Sequence, residues 1–146
     1  MSEHKIRTTW KRETSDFQYD SFDRTHAVAF EGGQNILASS APAYSGNAAH
    51  ANPEELLAAS VSSCHMLTFL AISSKSRLLV DSYEDNAVAI LDKNAEGMMA
   101  VTHIKLHPVV KFSGDVPDDA KVKELHEKAH KYCMIANSLK CEVSVH

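Results

Sequence analysis

The chain lacks the charge pattern of a nucleic-acid-binding protein. Its 146 residues carry a formal net charge of −4, and its Lys and Arg residues are dispersed along the sequence. Contacts to a phosphate backbone usually need a basic face. The sequence therefore argues against a nucleic-acid partner.

A secretion signal is also missing. The first 13 residues mix charged and polar side chains and contain no apolar core of signal-peptide length. The longest run without charge, residues 56–74, is interrupted by seven Ser, Thr and His residues. We therefore expect a cytoplasmic protein with no membrane partner, in which this run forms a buried helix.

Cysteine is scarce. The chain has three, Cys64, Cys133 and Cys141, and cytosolic thiols are kept reduced. They do not make a disulfide framework, so a pair that bonds is expected to do so transiently, during chemistry. By their residue type alone, all three could equally be inert apolar fillers, and for Cys141 that is the favoured interpretation.

The hydrophobic pattern predicts an α+β fold, in one domain over 1–146, without repeats or linkers. Each element is bounded by a turn or capping signal. The predicted strands are 5–12, 24–30, 34–39, 80–92, 98–112 and 141–146, with helices from Asn52 to about 76 and from about 118 to 135.

The first helix has a strong start signal. Asn52 can cap it, Pro53 suits the first helical position, and Glu55 completes a capping box. Its apolar and small residues run all the way round. We expect it to be enclosed on several sides, by a sheet or by a second subunit.

Two helices present a cysteine to the core. Cys64 lies in the middle of the first helix, and Cys133 extends an apolar stripe of the second that includes Leu125 and Ala129. A redox pair is the alternative to inert filling. The residues alone leave both open.

Nine histidines raise a metal hypothesis. His126 and His130 are one helical turn apart, and His103 and His107 are four apart on a strand. However, there is no HExxH motif and no cysteine close by in sequence. We therefore predict no metal site and place His126 and His130 on a solvated face.

Two motifs resemble those of the OsmC/Ohr family of hydroperoxide reductases. The first is NPEELLAASVSSCHMLTFL at 52–70, in which a cysteine follows the first Glu by ten positions; the second is CMIANSL at 133–139. The resemblance covers nearly the whole chain. It implies antiparallel sheets around a central buried helix, in an intertwined homodimer.

The resemblance also implies a thiol peroxidase. Cys64 is then the peroxidatic cysteine, Cys133 the resolving cysteine and Glu54 the acidic member of the site. Arg24, which opens an early strand, is the candidate for the family's arginine. The resemblance further implies that no bound cofactor is needed, that hydroperoxides are the substrates, and that an external dithiol of the lipoyl type is the reductant.

The proposed chemistry sets a geometric condition. Apolar burial disfavours the thiolate that must attack a peroxide, so a fixed cation such as Arg24 has to approach Cys64. Glu54 would orient that arginine, but ten helical residues separate Glu54 from Cys64 by about 15 Å. Either the helix breaks near Ala58, or Glu54 and Arg24 come from a second subunit, which we favour.

A non-enzymatic interpretation remains. The loop 40–52 and the apolar helix also suit a binding protein that holds an apolar ligand and whose cysteines are inert. If the chain is a peroxidase, the apolar Met66 and Phe69 favour organic substrates over hydrogen peroxide.

Overall fold

The structure, a computed structural model, describes residues 1–146 and divides into two compact units, 1–56 and 57–146. Three strands, a long helix, four strands, a second helix and a last strand follow one another, and most strand pairs are antiparallel, so the α+β prediction is confirmed. That the whole chain acts as one domain stays a prediction.

The first unit contains a three-stranded antiparallel sheet. A tight turn joins its second and third strands: the Gly33 N–H donates to the Phe30 carbonyl at 2.9 Å, and Gly33 has a φ of 86°, which glycine adopts without strain. The strands, in their order across the sheet, are β1 (Ile6–Thr9), β2 (His26–Phe30) and β3 (Asn35–Ala38).

The capping box predicted for the first helix is confirmed. The helix, α1, spans Pro53–Lys75. Asn52 Oδ1 accepts from the Glu55 N–H at 2.9 Å, and Glu55 Oε2 accepts from the Asn52 N–H at 3.0 Å, so two N–H groups at the helix start are satisfied. Because α1 is continuous, the suggested break near Ala58 is wrong.

Only one stripe of α1 is buried within the chain. Its members recur every three or four residues and are Ala58, Val61, His65, Phe69 and Ser73. Most of the rest of the helix is partly or largely accessible, and Leu67 is 60% exposed. By length and composition alone α1 could cross a membrane, a property it shares with many core helices. A single chain therefore does not enclose α1 on several sides, as the sequence led us to expect of the whole protein.

The second helix, α2, spans Asp119–Tyr132. Asp118 caps its start by accepting from the Lys121 N–H at 2.8 Å. The helix ends earlier than predicted, because the Asn137 side chain reaches back to donate to the Lys131 carbonyl at 3.0 Å. Cys133 is therefore the residue that closes α2 rather than part of it.

The long hairpin predicted after α1 is present but broken. The break lies at Asn86–Ala87 on one arm and at His107 on the other. The prediction of two continuous strands was therefore wrong. Asp85 Oδ1 accepts from the His107 N–H at 2.7 Å, which takes that amide out of the ladder, and Pro108 has no N–H to offer. The strands are β4 (Leu79–Asp85), β5 (Val88–Lys93), β6 (Met99–Leu106) and β7 (Pro108–Ser113).

Because of the break, the four strands of the hairpin belong to two different sheets. β4 pairs with β7, and β5 pairs with β6, both antiparallel; β8 (Glu142–Val145) adds to β6 in parallel. On β6, Ile104 and Leu106 pack with Ala58 and Val61 of α1. On β7, Val110 and Phe112 instead contact the cluster of Phe69, Leu125 and Ala129. One stripe of α1 thus contributes to two clusters.

We expect Asp85→Ala to lower the free energy of unfolding by about 2 kcal/mol, because it leaves the His107 N–H without its acceptor. It also removes the acceptor of the Ser62 hydroxyl. Asp81→Ala is the matched control: Asp81 lies on the same strand and accepts from Ser113 at 2.9 Å, but in an exposed position. Urea unfolding of both variants checks this; equal losses would show that the break does not depend on Asp85.

Candidate active site

The structure brings Cys64 and Cys133 together. Cys64 is half-buried on α1, Cys133 is fully buried at the end of α2, and both are free thiols. The Cys133 Sγ lies 4.0 Å from the carbonyl oxygen of Val61, one turn before Cys64 on α1, and the Cys64 side chain is near enough to influence the pKa of the Cys133 thiol. A thiol on α1 and a thiol at the end of α2 are therefore neighbours.

The surroundings make the two thiols unequal. Burial raises the pKa of Cys133 to about 11, and the neighbouring Cys64 side chain acts in the same direction. The Ala136 N–H, which donates to the Cys133 Sγ at 3.5 Å, opposes the rise in this pKa only partly. Cys133 therefore stays protonated near neutral pH.

Arg24 and Glu54 do not form an ion pair within the chain. The Arg24 guanidinium donates to the Tyr19 and Phe22 carbonyls at 2.7 and 3.1 Å and lies 4.0 Å from the centre of the Phe22 ring. The Oε2 of Glu54 is buried and has no hydrogen-bond partner. The roles predicted for both residues stay predictions.

A histidine pair next to the cysteines was missed by the sequence analysis. His65 Nε2 lies 3.1 Å from His126 Nδ1, and the rings are parallel within 6° with their centres 5.4 Å apart. The distance between the ring centres exceeds the distance between the two nitrogens by about one ring diameter. Each nitrogen therefore lies on the line that joins the two ring centres. The rings thus meet edge to edge, in line for an N–H···N hydrogen bond.

The placement of His126 on a solvated face was therefore wrong. Its ring packs on Phe69, with centres 4.3 Å apart, and His65 is fully buried. The available signal was spacing: His65 lies four residues from both Val61 and Phe69, which places it on their stripe. His126 directly follows Leu125, at the edge of the α2 stripe.

Three further titratable groups lie around this pair. His130, Asp85 and Tyr83 approach it from α2 and β4. Burial, with the charges of His126 and His130, lowers the pKa of His65 to about 4 despite the opposing charge of Asp85. Burial also lowers the pKa of His126. No group of three or more His, Cys, Asp or Glu side chains converges as a metal site needs.

A cavity of small-molecule size is found in each unit. The first unit has one of about 410 Å³, lined mainly by apolar atoms and including Trp10, Phe17, Phe22 and Arg24. The second unit has one of about 600 Å³ between α2 and β8, with His126 and His130 on its wall. Both volumes are within the range of small-molecule sites.

This α+β arrangement, with a long helix carrying one cysteine and a second cysteine held against it, matches a known family. The family model described as "OsmC-like protein" matches residues 46–146. The chain belongs to this family, as its two motifs indicated. Among proteins of curated function, none matches.

Solved structures confirm the fold. An OsmC-like protein of unknown function from Vibrio cholerae O1 biovar eltor is 45% identical, with a TM-score of 0.96, and the match covers 100% of this chain and 99% of that one. An organic hydroperoxide resistance protein from Elizabethkingia anophelis is 18% identical, with a TM-score of 0.75 over 99% and 96%. OhrB of Bacillus subtilis is 18% identical, with a TM-score of 0.67 over 99% and 97%.

We expect the protein to lose stability as the pH falls from about 6.5 towards 4. The folded state keeps His65 neutral in this window while the unfolded state binds a proton there, so acidification favours unfolding. Urea midpoints at pH 6.5 and 4.5 measure the loss.

Two histidine variants test whether His65 causes this loss of stability. His65→Gln should show a smaller drop between the two pH values, whereas His103→Asn, at an exposed position, should keep the drop of the unmodified protein. An unchanged drop in His65→Gln would contradict the assignment.

Proposed function

We propose that the protein is a cytoplasmic, cysteine-based hydroperoxide reductase. The observation that carries the proposal is the meeting of Cys64 and Cys133 from two helices. Further support comes from family membership and from structural relatives named for organic hydroperoxide resistance.

The unequal thiols assign the two roles. Cys133 is fully buried, and its raised pKa keeps it protonated, which makes it a poor nucleophile. Cys64 is half-buried and can be reached from outside the core. Cys64 is therefore the attacking residue and Cys133 the resolving one.

The reaction then proceeds in three steps. The Cys64 thiolate attacks the outer oxygen of the hydroperoxide; the O–O bond breaks, and the alkoxide takes a proton to leave as an alcohol, with Cys64 as a sulfenic acid. The Cys133 thiol attacks that sulfur, which forms the disulfide and releases water. An external dithiol of the lipoyl type then reduces the disulfide to two thiols and is itself oxidised to a disulfide.

The attacking thiolate needs a cation, which we propose comes from a second copy of the chain. The unbroken helix holds Glu54 about 15 Å along α1 from Cys64. The buried Glu54 Oε2 has no donor, and Arg24 bonds only to carbonyls of its own segment. A homodimer would supply both missing partners, with an arginine to stabilise the alkoxide as the O–O bond breaks.

The surface of α1 also supports a homodimer. Its accessible side holds small residues at steps of four, Ala59, Ser63 and Ala71, with Leu67 among them. Small residues allow two helices to approach closely, and an apolar face of this kind gains stability when it is covered.

We expect Leu67→Glu to shift the protein towards monomer, because a charge would be buried in the contact. The control is Val116→Glu in the loop before α2, at a residue of similar exposure, 66% against 60%. Sedimentation velocity measures the change. A Leu67→Glu protein that stays dimeric, or a wild type that is monomeric, would refute the α1 contact.

We expect Cys64→Ser to abolish hydroperoxide consumption with a dithiol as reductant, since no thiolate remains to attack. Cys133→Ser should leave a first turnover but accumulate sulfenic or overoxidised Cys64, seen by mass spectrometry. The control is Cys141→Ser, which should keep the activity. Tert-butyl hydroperoxide should be consumed faster than hydrogen peroxide, because the apolar residues Met66 and Phe69 follow Cys64 closely on α1.

Activity that survives in Cys64→Ser would end the assignment. A protein that consumes no hydroperoxide at all would favour the rival function, a binding protein for an apolar ligand. The observation that favours this rival is the aromatic-lined cavity of the first unit.

A further inference from the structure

The two helices that carry the cysteines face each other along matching rows. On α1 the row is Val61, His65 and Phe69, at steps of four. Opposite them, in reverse order, lie Cys133 against Val61, His126 against His65, and His126 and Leu125 against Phe69. The helices are therefore antiparallel along this contact.

The contacts along these rows differ in how strictly they fix the register. Phe69, Leu125 and Ala129 form an apolar cluster, and apolar contact is non-directional. The sulfur of Cys133 is 4.0 Å from the Val61 carbonyl, which is a weak interaction. The His65–His126 bond, at 3.1 Å, is the strongly directional contact between the two rows.

The buried ring of His65 has no other hydrogen-bond partner than His126. Its Nδ1 is buried without a partner, so Nε2 makes the ring's only hydrogen bond. His126 lies seven residues before Cys133, two turns along α2, so the helix transmits its position to the end that holds Cys133.

We propose that His65 and His126 are positioning residues for the cysteine pair, and that their hydrogen bond holds α2 in the register that keeps the Cys133 sulfur beside Cys64. This proposal rests on the proposed function, which needs these two sulfurs to bond. It gives the histidine pair a role without contact with the substrate.

The test measures the equilibrium of the Cys64–Cys133 disulfide with glutathione at pH 7, without any peroxide. Oxidised glutathione loses its S–S bond as the protein gains one, and the two protein thiols supply the hydrogens of two reduced glutathiones. The equilibrium constant reports how well the two protein sulfurs are placed.

Three variants of His126 separate the hydrogen bond from bulk and polarity. Asn places its amide where Nδ1 lies, Gln places it one bond further, and Leu has none. We expect His126→Leu and His126→Gln to lower the equilibrium constant on the order of tenfold, and His126→Asn to stay within about twofold of the wild type. Far-UV circular dichroism selects the variants that are folded.

The outcomes distinguish the two proposals. If the wild type forms no Cys64–Cys133 disulfide, the proposed function fails. If it forms one, and the folded variants all match it, the cysteine chemistry stands and the positioning role is overturned. Should His126→Leu not fold, the Asn and Gln pair gives the same decision, because both keep a polar side chain at this position.

Discussion

Burial of a single stripe of α1 is the constraint on which the rest of the second unit depends. The stripe passes from Ala58 and Val61, which pack on β6, to Phe69, which packs on β7 and α2. The hairpin has to break between these two areas so that each half can turn its apolar side to its own part of the helix. Asp85 fixes that break through the His107 amide.

The same stripe includes two polar residues, His65 and Ser73, both fully buried. Burial of a polar group costs free energy unless a partner compensates. For His65 the compensation is a single bond to His126, while the Ser73 hydroxyl has no partner. A core that contains such groups gives up some stability, and at His65 it gains a directional contact that apolar side chains do not provide.

The sequence predicted the elements whose signals are local. The capping box at Asn52 and Glu55 depends on a few neighbouring residues, and it was confirmed. The hairpin break was not predicted, because it depends on a bond between Asp85 and an amide 22 positions away. The early end of α2 was missed in the same way, since Asn137 acts on the Lys131 carbonyl through its side chain.

For the site, the two motifs predicted Cys64 and Cys133 as a pair, and in the structure the two residues are neighbours. The histidine pair was missed because helical spacing describes one helix at a time: it put His126 just off the α2 stripe, whereas the opposite helix brings His65 to that edge. Contacts between two helices with 61 positions between the partners carry no periodic signal.

The location of Cys133 has a consequence for spectroscopy. It lies after the last helical residue, in an extended conformation with φ −69° and ψ 104°, and only its N–H joins it to the preceding turn. Its sulfur can shift by rotation at this junction while the helix stays intact. Reduced and oxidised protein should then have the same helical content, with the difference confined to the amide signals around Cys64 and of the short segment that follows α2.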